Sequence, residues 1–231
     1  CAARRGCGTR AREAAAIGID NLEHGLVVDT EFVPGKQPDV CPTGKATQDS
    51  LLALDLASAP AQEMIRDLVG RHVAVTSTLA VFETFAPKRP PLPARVLDSL
   101  STESRGDYER GRASVDGRTA SPWSALLEKE MAFERAFVKA GGLLMTGADP
   151  TGFGGVLAGF ADLRGIELLV EAGFTPLEAI HIATENGATY LGESARIGTI
   201  APGKQADLVV VRGDPSKVIG DIEKIDIVFQ D

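Results

Sequence analysis

Apolar residues recur along this chain in short blocks whose spacing switches between a period near two and one near 3.6, which predicts alternating strands and helices. Residues 10–16 read as a helix, with Thr9 as N-cap and Gly18 closing it in a left-handed turn. Residues 19–23 read as a short strand running into His24. From Asp29 to Asp49 the chain is rich in Pro, Gly and Asp, which predicts a long loop rather than core. Residues 48–57 and 61–69 have helical spacing and are separated by Pro60. Residues 73–79 alternate Val, Ala and Thr, and their β-branched content suits a strand. Pro87, Pro90, Pro91 and Pro93 break the next stretch, and residues 101–118 are so polar that a surface excursion without regular structure is expected.

The next helix is well punctuated: Ser121 can cap it, Pro122 takes its first position and Gly141 stops it. Leu127, Met131, Glu134 and Val138 follow one stripe, with Leu126, Phe133 and Phe137 beside it, and these apolar side chains are expected in the core. Residues 143–146 form a strand that delivers Asp149. Residues 159–172 are apolar enough to pack as a helix. Thr175-Pro176-Leu177-Glu178 is a capping box that opens a helix through about Leu191, with Ile180, Ala183, Ala188 and Leu191 facing inward. Past Gly192 the texture changes to two or three strands with no helix, among them residues 207–212 and 225–229 with Gly213-Asp214-Pro215 between them.

Charge and cysteine content narrow the function. A net charge of −8 argues against nucleic acid as a partner. The one basic cluster, the arginines at 4, 5, 10 and 12, reads as a solvated helix face. No apolar string approaches the roughly 20 residues that span a bilayer, so no membrane partner is expected. Cys1, Cys7 and Cys41 lack the paired spacing of a zinc site or a disulfide framework, which favours a reducing compartment such as the cytoplasm. The chain starts on Cys rather than Met, which suggests that an N-terminal segment precedes it.

Two residues carry the candidate chemistry. His24 follows one predicted strand and Asp149 another, and in β/α barrels the reactive groups sit on loops at the carboxyl ends of the strands. An imidazole suits zinc, manganese, iron or nickel, and a carboxylate compensates the ion's charge while accepting a proton from its water. Plainer readings stay open: a hydrogen-bonded histidine at a strand terminus, and a turn at Asp149-Pro150. His72 reads as a surface residue and His181 as a structural one inside a helix. Thr76, Thr78 and Glu83 are candidates to line a pocket, and residues 151–155 to shape its mouth. No phosphate loop is present, because Gly152-Phe153-Gly154 is followed by Leu157 where a third glycine belongs, and Thr43-Gly44-Lys45-Ala46 lacks the earlier glycine and the Ser/Thr.

Four segments in order, Gly18-Ile-Asp-Asn-Leu-Glu-His24, Met145-Thr-Gly-Ala-Asp149-Pro, Glu167-Leu-Leu-Val-Glu-Ala-Gly-Phe-Thr-Pro176 and Ile197-Gly-Thr-Ile-Ala-Pro-Gly-Lys-Gln-Ala-Asp207-Leu-Val, resemble the metal-dependent amidohydrolase superfamily, above all its imidazolonepropionase-like and prolidase-like members. The resemblance implies an α/β fold: the C-terminal part of a β/α (TIM-like) barrel, strands 6 to 8 and their helices, over residues 1–192. Residues 193–231 would supply C-terminal strands of a small composite β-sandwich. It implies that His24 matches the sixth-strand histidine, which binds a second metal in binuclear members and touches substrate in mononuclear ones. It implies that Asp149 matches the eighth-strand aspartate, both a metal ligand and the catalytic general base. The family's first-strand His-x-His, its bridging lysine and its fifth-strand histidine have no counterpart in these residues.

The reading that results is a hydrolase of carbon–nitrogen bonds that uses a divalent metal, zinc foremost, as one or two ions in the intact enzyme. Its substrate would be a small cyclic or dipeptide-like amide, and a homo-oligomer is compatible with it. As a portion of that enzyme, the chain alone is expected to bind metal weakly and to be inactive. The alternative is a non-catalytic half-barrel that serves binding or assembly.

Overall fold

Strands and helices alternate through the first two-thirds of this chain, and several helix ends are marked by Ser, Thr, Pro or Gly. The computed structural model describes residues 8–150 and 155–231 in full, and the backbone of residues 2–3. Along the chain run β1 (Ala2–Ala3), α1 (Ala11–Ala16), β2 (Asn21–Glu23), α2 (Gly44–Ala53), α3 (Ala59–Gly70) and β3 (Ala74–Ser77). They are followed by α4 (Leu79–Phe85), α5 (Ala94–Leu97), α6 (Thr102–Asp116), α7 (Trp123–Lys139), β4 (Leu144–Thr146), α8 (Phe160–Glu171), α9 (Pro176–Ala183) and α10 (Glu185–Tyr190). The chain ends in β5 (Leu208–Val211) and β6 (Ile225–Phe229), with a 3-10 turn at Ile219–Glu223 between them.

β1 to β4 form one parallel sheet in sequential order. Leu22, Val75 and Leu144 align across it in a single row, and all three are essentially sealed from solvent. Side chains alternate sides along a strand, so this row faces the helices. Its burial contributes about 1.5–3 kcal/mol per residue. Asn21 and Thr76 stand on the opposite side, where the Asn21 amide donates to Thr76 Oγ1 at 2.8 Å. The helix-facing side is thus centred on an apolar row, while the other side mixes Asn21 and Thr76 with Ala74 and Met145. α7 fills the interlayer with Leu126, Leu127 and the stacked pair Phe133–Phe137, and also buries two acids there, Glu130 and Glu134.

Several expectations need correction. Residues 102–116 are not a structureless excursion but the 15-residue helix α6. Ser101 Oγ caps it by accepting from the Ser104 N–H, and Arg105–Glu109 and Arg112–Asp116 pair along it at i,i+4. Only Tyr108, Arg112 and Val115 are buried, one residue per turn. Arg112 ties α6 down by donating to the carbonyls of Thr84 at 3.1 Å and Ala86 at 2.7 Å. The stretch from Asp29 is not purely loop either. α2 starts at Gly44, and Asp29 is buried, with Oδ1 accepting from the Ala11 N–H at 3.2 Å. That bond and the Glu13 carboxylate, which accepts from the Arg10 N–H, cap α1 in place of Thr9. Of the basic cluster, Arg10 pairs with Glu13 and Arg12 with Glu31, while Arg4 and Arg5 lie outside the described residues.

The capping box at Thr175 forms as expected, but the helix it opens breaks at Thr184, whose φ of −123° and ψ of −75° lie off the helical region. Leu191 consequently faces solvent, while Ala188 is buried and Ile180 and Ala183 pack partly buried against the core, beside the fully buried Ala179 and Ile182. Cys41 is disulfide-bonded. β5 and β6 make an antiparallel two-stranded ribbon that exposes Val209, Val210, Ile225, Ile227, Val228 and Phe229. Ile219 and Ile222 in the intervening turn pack against the main core. Among the described residues, no helix is long and apolar enough to cross a membrane.

Candidate functional site

Parallel pairing carries two chain reversals to the same end of the sheet. Beyond β2 the His24 N–H still donates to the Thr76 carbonyl, at 3.3 Å, which prolongs the ladder by one residue. The backbone then turns through two consecutive left-handed residues, His24 at φ 70° and Gly25 at φ 53°. Beyond β4 the Gly147 N–H donates to the Ser77 carbonyl at 2.9 Å, and Asp149 is again left-handed, at φ 44°. Left-handed non-glycine residues are uncommon, and those that persist are held by their surroundings.

These turns bring His24 Nε2 to 3.7 Å from Asp149 Oδ2. Both side chains are about one-sixth exposed, so they are reachable yet largely shielded. The separation is too long for a good hydrogen bond. It is close to what one ion imposes, because two ligands about 2.0–2.2 Å from a tetrahedral zinc lie roughly 3.3–3.6 Å apart. On the far side of the ring, His24 Nδ1 is 2.9 Å from Thr78 Oγ1. With Nδ1–H donating to that hydroxyl, the lone pair sits on Nε2, the tautomer that a metal needs. Phe82 sets the ring's tilt through an edge contact, with centroids 5.9 Å apart and planes at 64°.

The donor chemistry fits a divalent ion, and the donor number covers half of a four-coordinate site. Among the described residues no group of three or more His, Cys, Asp or Glu side chains converges to hold one. His72 lies on the surface, and His181 is exposed and pairs with Glu185 at 3.1 Å. Thr76 stands on the sheet face opposite the apolar row, and its carbonyl accepts the His24 N–H. Glu83, by contrast, is engaged away from it, accepting from Arg89 and Arg164 at 2.8 Å each. A cavity of about 230 Å³ opens beside that ion cluster, lined by Leu92, Tyr108, Phe160 and Arg164 among others, and neither His24 nor Asp149 lines it. Of the mouth loop 151–155, residues 151–154 lie outside the described residues.

Two acids on α7 stand directly behind the His24 turn. Glu130 accepts the Leu26 N–H at 3.1 Å on one oxygen and the Val27 N–H at 2.7 Å on the other. Glu134, one turn further on, is wholly buried, and neither of its oxygens has a hydrogen-bond partner. Burial first, and the charge of Glu130 second, push its pKa well above the usual carboxylate range. The Ser77 hydroxyl is near enough to oppose that rise but completes no hydrogen bond to either oxygen. Sequence spacing puts Glu134 on the inward stripe of this helix but does not single out Glu130. An acid at an inward-facing helical position was the available signal for both.

Solved structures of known proteins share this fold. A solved Xaa-Pro dipeptidase with methionine bound in its active site superposes with a TM-score of 0.56 at 20% identity, over 95% of this chain and 40% of its own. A putative prolidase from Bifidobacterium longum does so at 0.52 and 22%, over 99% and 53%. At this identity the two likenesses speak to the fold. An adenine deaminase from Jannaschia sp. (strain CCS1) is 43% identical over 49 residues, which is 21% of this chain and 8% of the deaminase. The chain thus spans about half or less of the length of each of these proteins. The sequence profile of the amidohydrolase family matches residues 113–230, about half of the chain, and the chain belongs to that family.

Proposed function

We propose that the intact protein is a metal-dependent hydrolase of carbon–nitrogen bonds in which His24 and Asp149 supply part of the metal site. The observation that carries this reading is the 3.7 Å approach of Nε2 to Oδ2 from turns 125 residues apart in sequence. On this reading β1 to β4 are an arc of a β/α barrel that other strands close. β5 and β6 are one part of a β-sandwich, consistent with the apolar side chains they expose. The boundary between the two units would fall near residue 192.

A divalent ion, zinc foremost, would supply an acidified water and polarise the scissile carbonyl. Everything else is work for the chain's own side chains. Thr78 fixes the His24 tautomer, so that Nε2 presents its lone pair to the site. In a site that holds a single ion, the same Nε2 would meet the substrate instead. Asp149 Oδ2 faces the same space and can take a proton from the attacking water and hand it to the leaving nitrogen. The shielding of both groups keeps bulk water from competing for these bonds. A small amide, cyclic or dipeptide-like, is the substrate class that this chemistry suits.

The test is Asp149→Asn in the intact, metal-loaded protein. The change removes the proton acceptor while keeping an oxygen ligand, so kcat should fall by about 10²–10⁴ with metal content retained. Near-normal turnover with metal bound would remove Asp149 from the mechanism. An intact protein that never binds metal would instead favour a non-catalytic binding or assembly module.

A further inference from the structure

We infer that Glu130 is the positioning residue for His24, holding from behind the turn that aims its imidazole. The inference rests on the proposed role of His24 and adds a residue more than one hundred positions away in sequence.

His24 and Gly25 are both left-handed, a pair of conformations that the chain does not favour unaided. The next two N–H groups, of Leu26 and Val27, point into the interlayer, where water cannot reach them. Glu130 takes one on each oxygen, which closes the turn as a bidentate clamp. The fit is close: a Cβ at Gly25 would stand 1.9 Å from Glu130 Oε1, so the carboxylate occupies the space a side chain there would fill. With the turn clamped from behind and the ring held by Thr78 and Phe82, Nε2 is turned toward Asp149.

Stability alone gives little reason for this device. A buried carboxylate beside a second buried acid is a poor core element, and apolar packing would serve the fold better. Its return is the fixed geometry of residues 24–27. Supporting partners of this kind typically govern metal affinity by 10- to 100-fold.

The experiment uses the intact protein and two variants, Glu130→Gln and Glu134→Gln, the second removing the neighbouring acid without touching the turn. Zn²⁺ affinity is measured by competition with a chromophoric chelator, and the tautomer of His24 by ¹⁵N shifts of the metal-free protein. Glu130→Gln is expected to weaken Zn²⁺ about 10- to 100-fold and turn a single Nδ1–H tautomer into a mixture. Glu134→Gln should change neither. Wild-type affinity and a single tautomer in Glu130→Gln would overturn the inference. The unaltered protein tests it too: the Leu26 and Val27 amides should resist hydrogen exchange, and exchange at solvent rates would refute the clamp even if Glu130→Gln does not fold. The two readings fail separately. If His24→Ala leaves Zn²⁺ affinity unchanged, the metal role of His24 is lost, and the tautomer alone then judges Glu130.

Discussion

Replacing Glu134 with Met should stabilise the protein, although the residue lies at the centre of its core. Both carboxylate oxygens are sealed in the interlayer without a hydrogen-bond partner, so the native state carries desolvation that the nearby Ser77 hydroxyl offsets only in part. Removing such an unsatisfied group is worth about 1–3 kcal/mol. For a chain of this length each kcal/mol moves Tm by about 2–4 °C. Proton linkage adds a second signature. Because folding raises the pKa of Glu134, the folded state holds a proton that the unfolded state releases above its ordinary value of 4.5. Its contribution is therefore intact below that pH and is lost as pH climbs from there through the raised folded value, at up to about 1.4 kcal/mol per pH unit. Urea unfolding of the intact protein between pH 5 and 8 measures both effects. Glu134→Met should have the higher midpoint, with a lead that widens as pH rises. A variant that is less stable by 2 kcal/mol or more across this range, with a pH-independent gap, would mean that the carboxylate has a partner and that the reasoning is wrong.

Other perturbations probe the His24 turn. Gly25→Ala forces a Cβ into the Glu130 carboxylate and an alanine to φ 53°. It should cost about 3 kcal/mol in chemical unfolding, and a loss below 1 kcal/mol would show that the turn is loose. Thr78→Val keeps the shape of the side chain but removes the hydroxyl that holds Nδ1. Metal affinity is then expected to drop about 10- to 100-fold with stability little changed; titration with unchanged affinity would mean that another group sets the tautomer.

Much of the fold was legible because punctuation and period agreed. Pro60, Pro122, Gly141 and the Thr175 capping box each mark a helix end within a few residues of where it falls. α6 escaped because its buried set is sparse and two glycines sit inside it, while its helical signal lies in charge pairs such as Arg105–Glu109 rather than in apolar spacing. The break at Thr184 escaped because residues 176–191 keep a helical composition on both sides of it.

The site was legible in part for a different reason. His24 and Asp149 each announce themselves by position after a strand, but their meeting depends on β3 standing between β2 and β4. Thr78 and Glu130 act through contacts 54 and more than one hundred residues away in sequence. No local pattern encodes such distances, and only the folded sheet with α7 behind it makes the partners neighbours.

The sharpest trial of this account is anomalous scattering at the zinc edge from crystals of the intact protein. One peak within about 2.2 Å of both His24 Nε2 and Asp149 Oδ2 is the expected result. An ion held elsewhere, with these two side chains bonded only to protein or water, would contradict it.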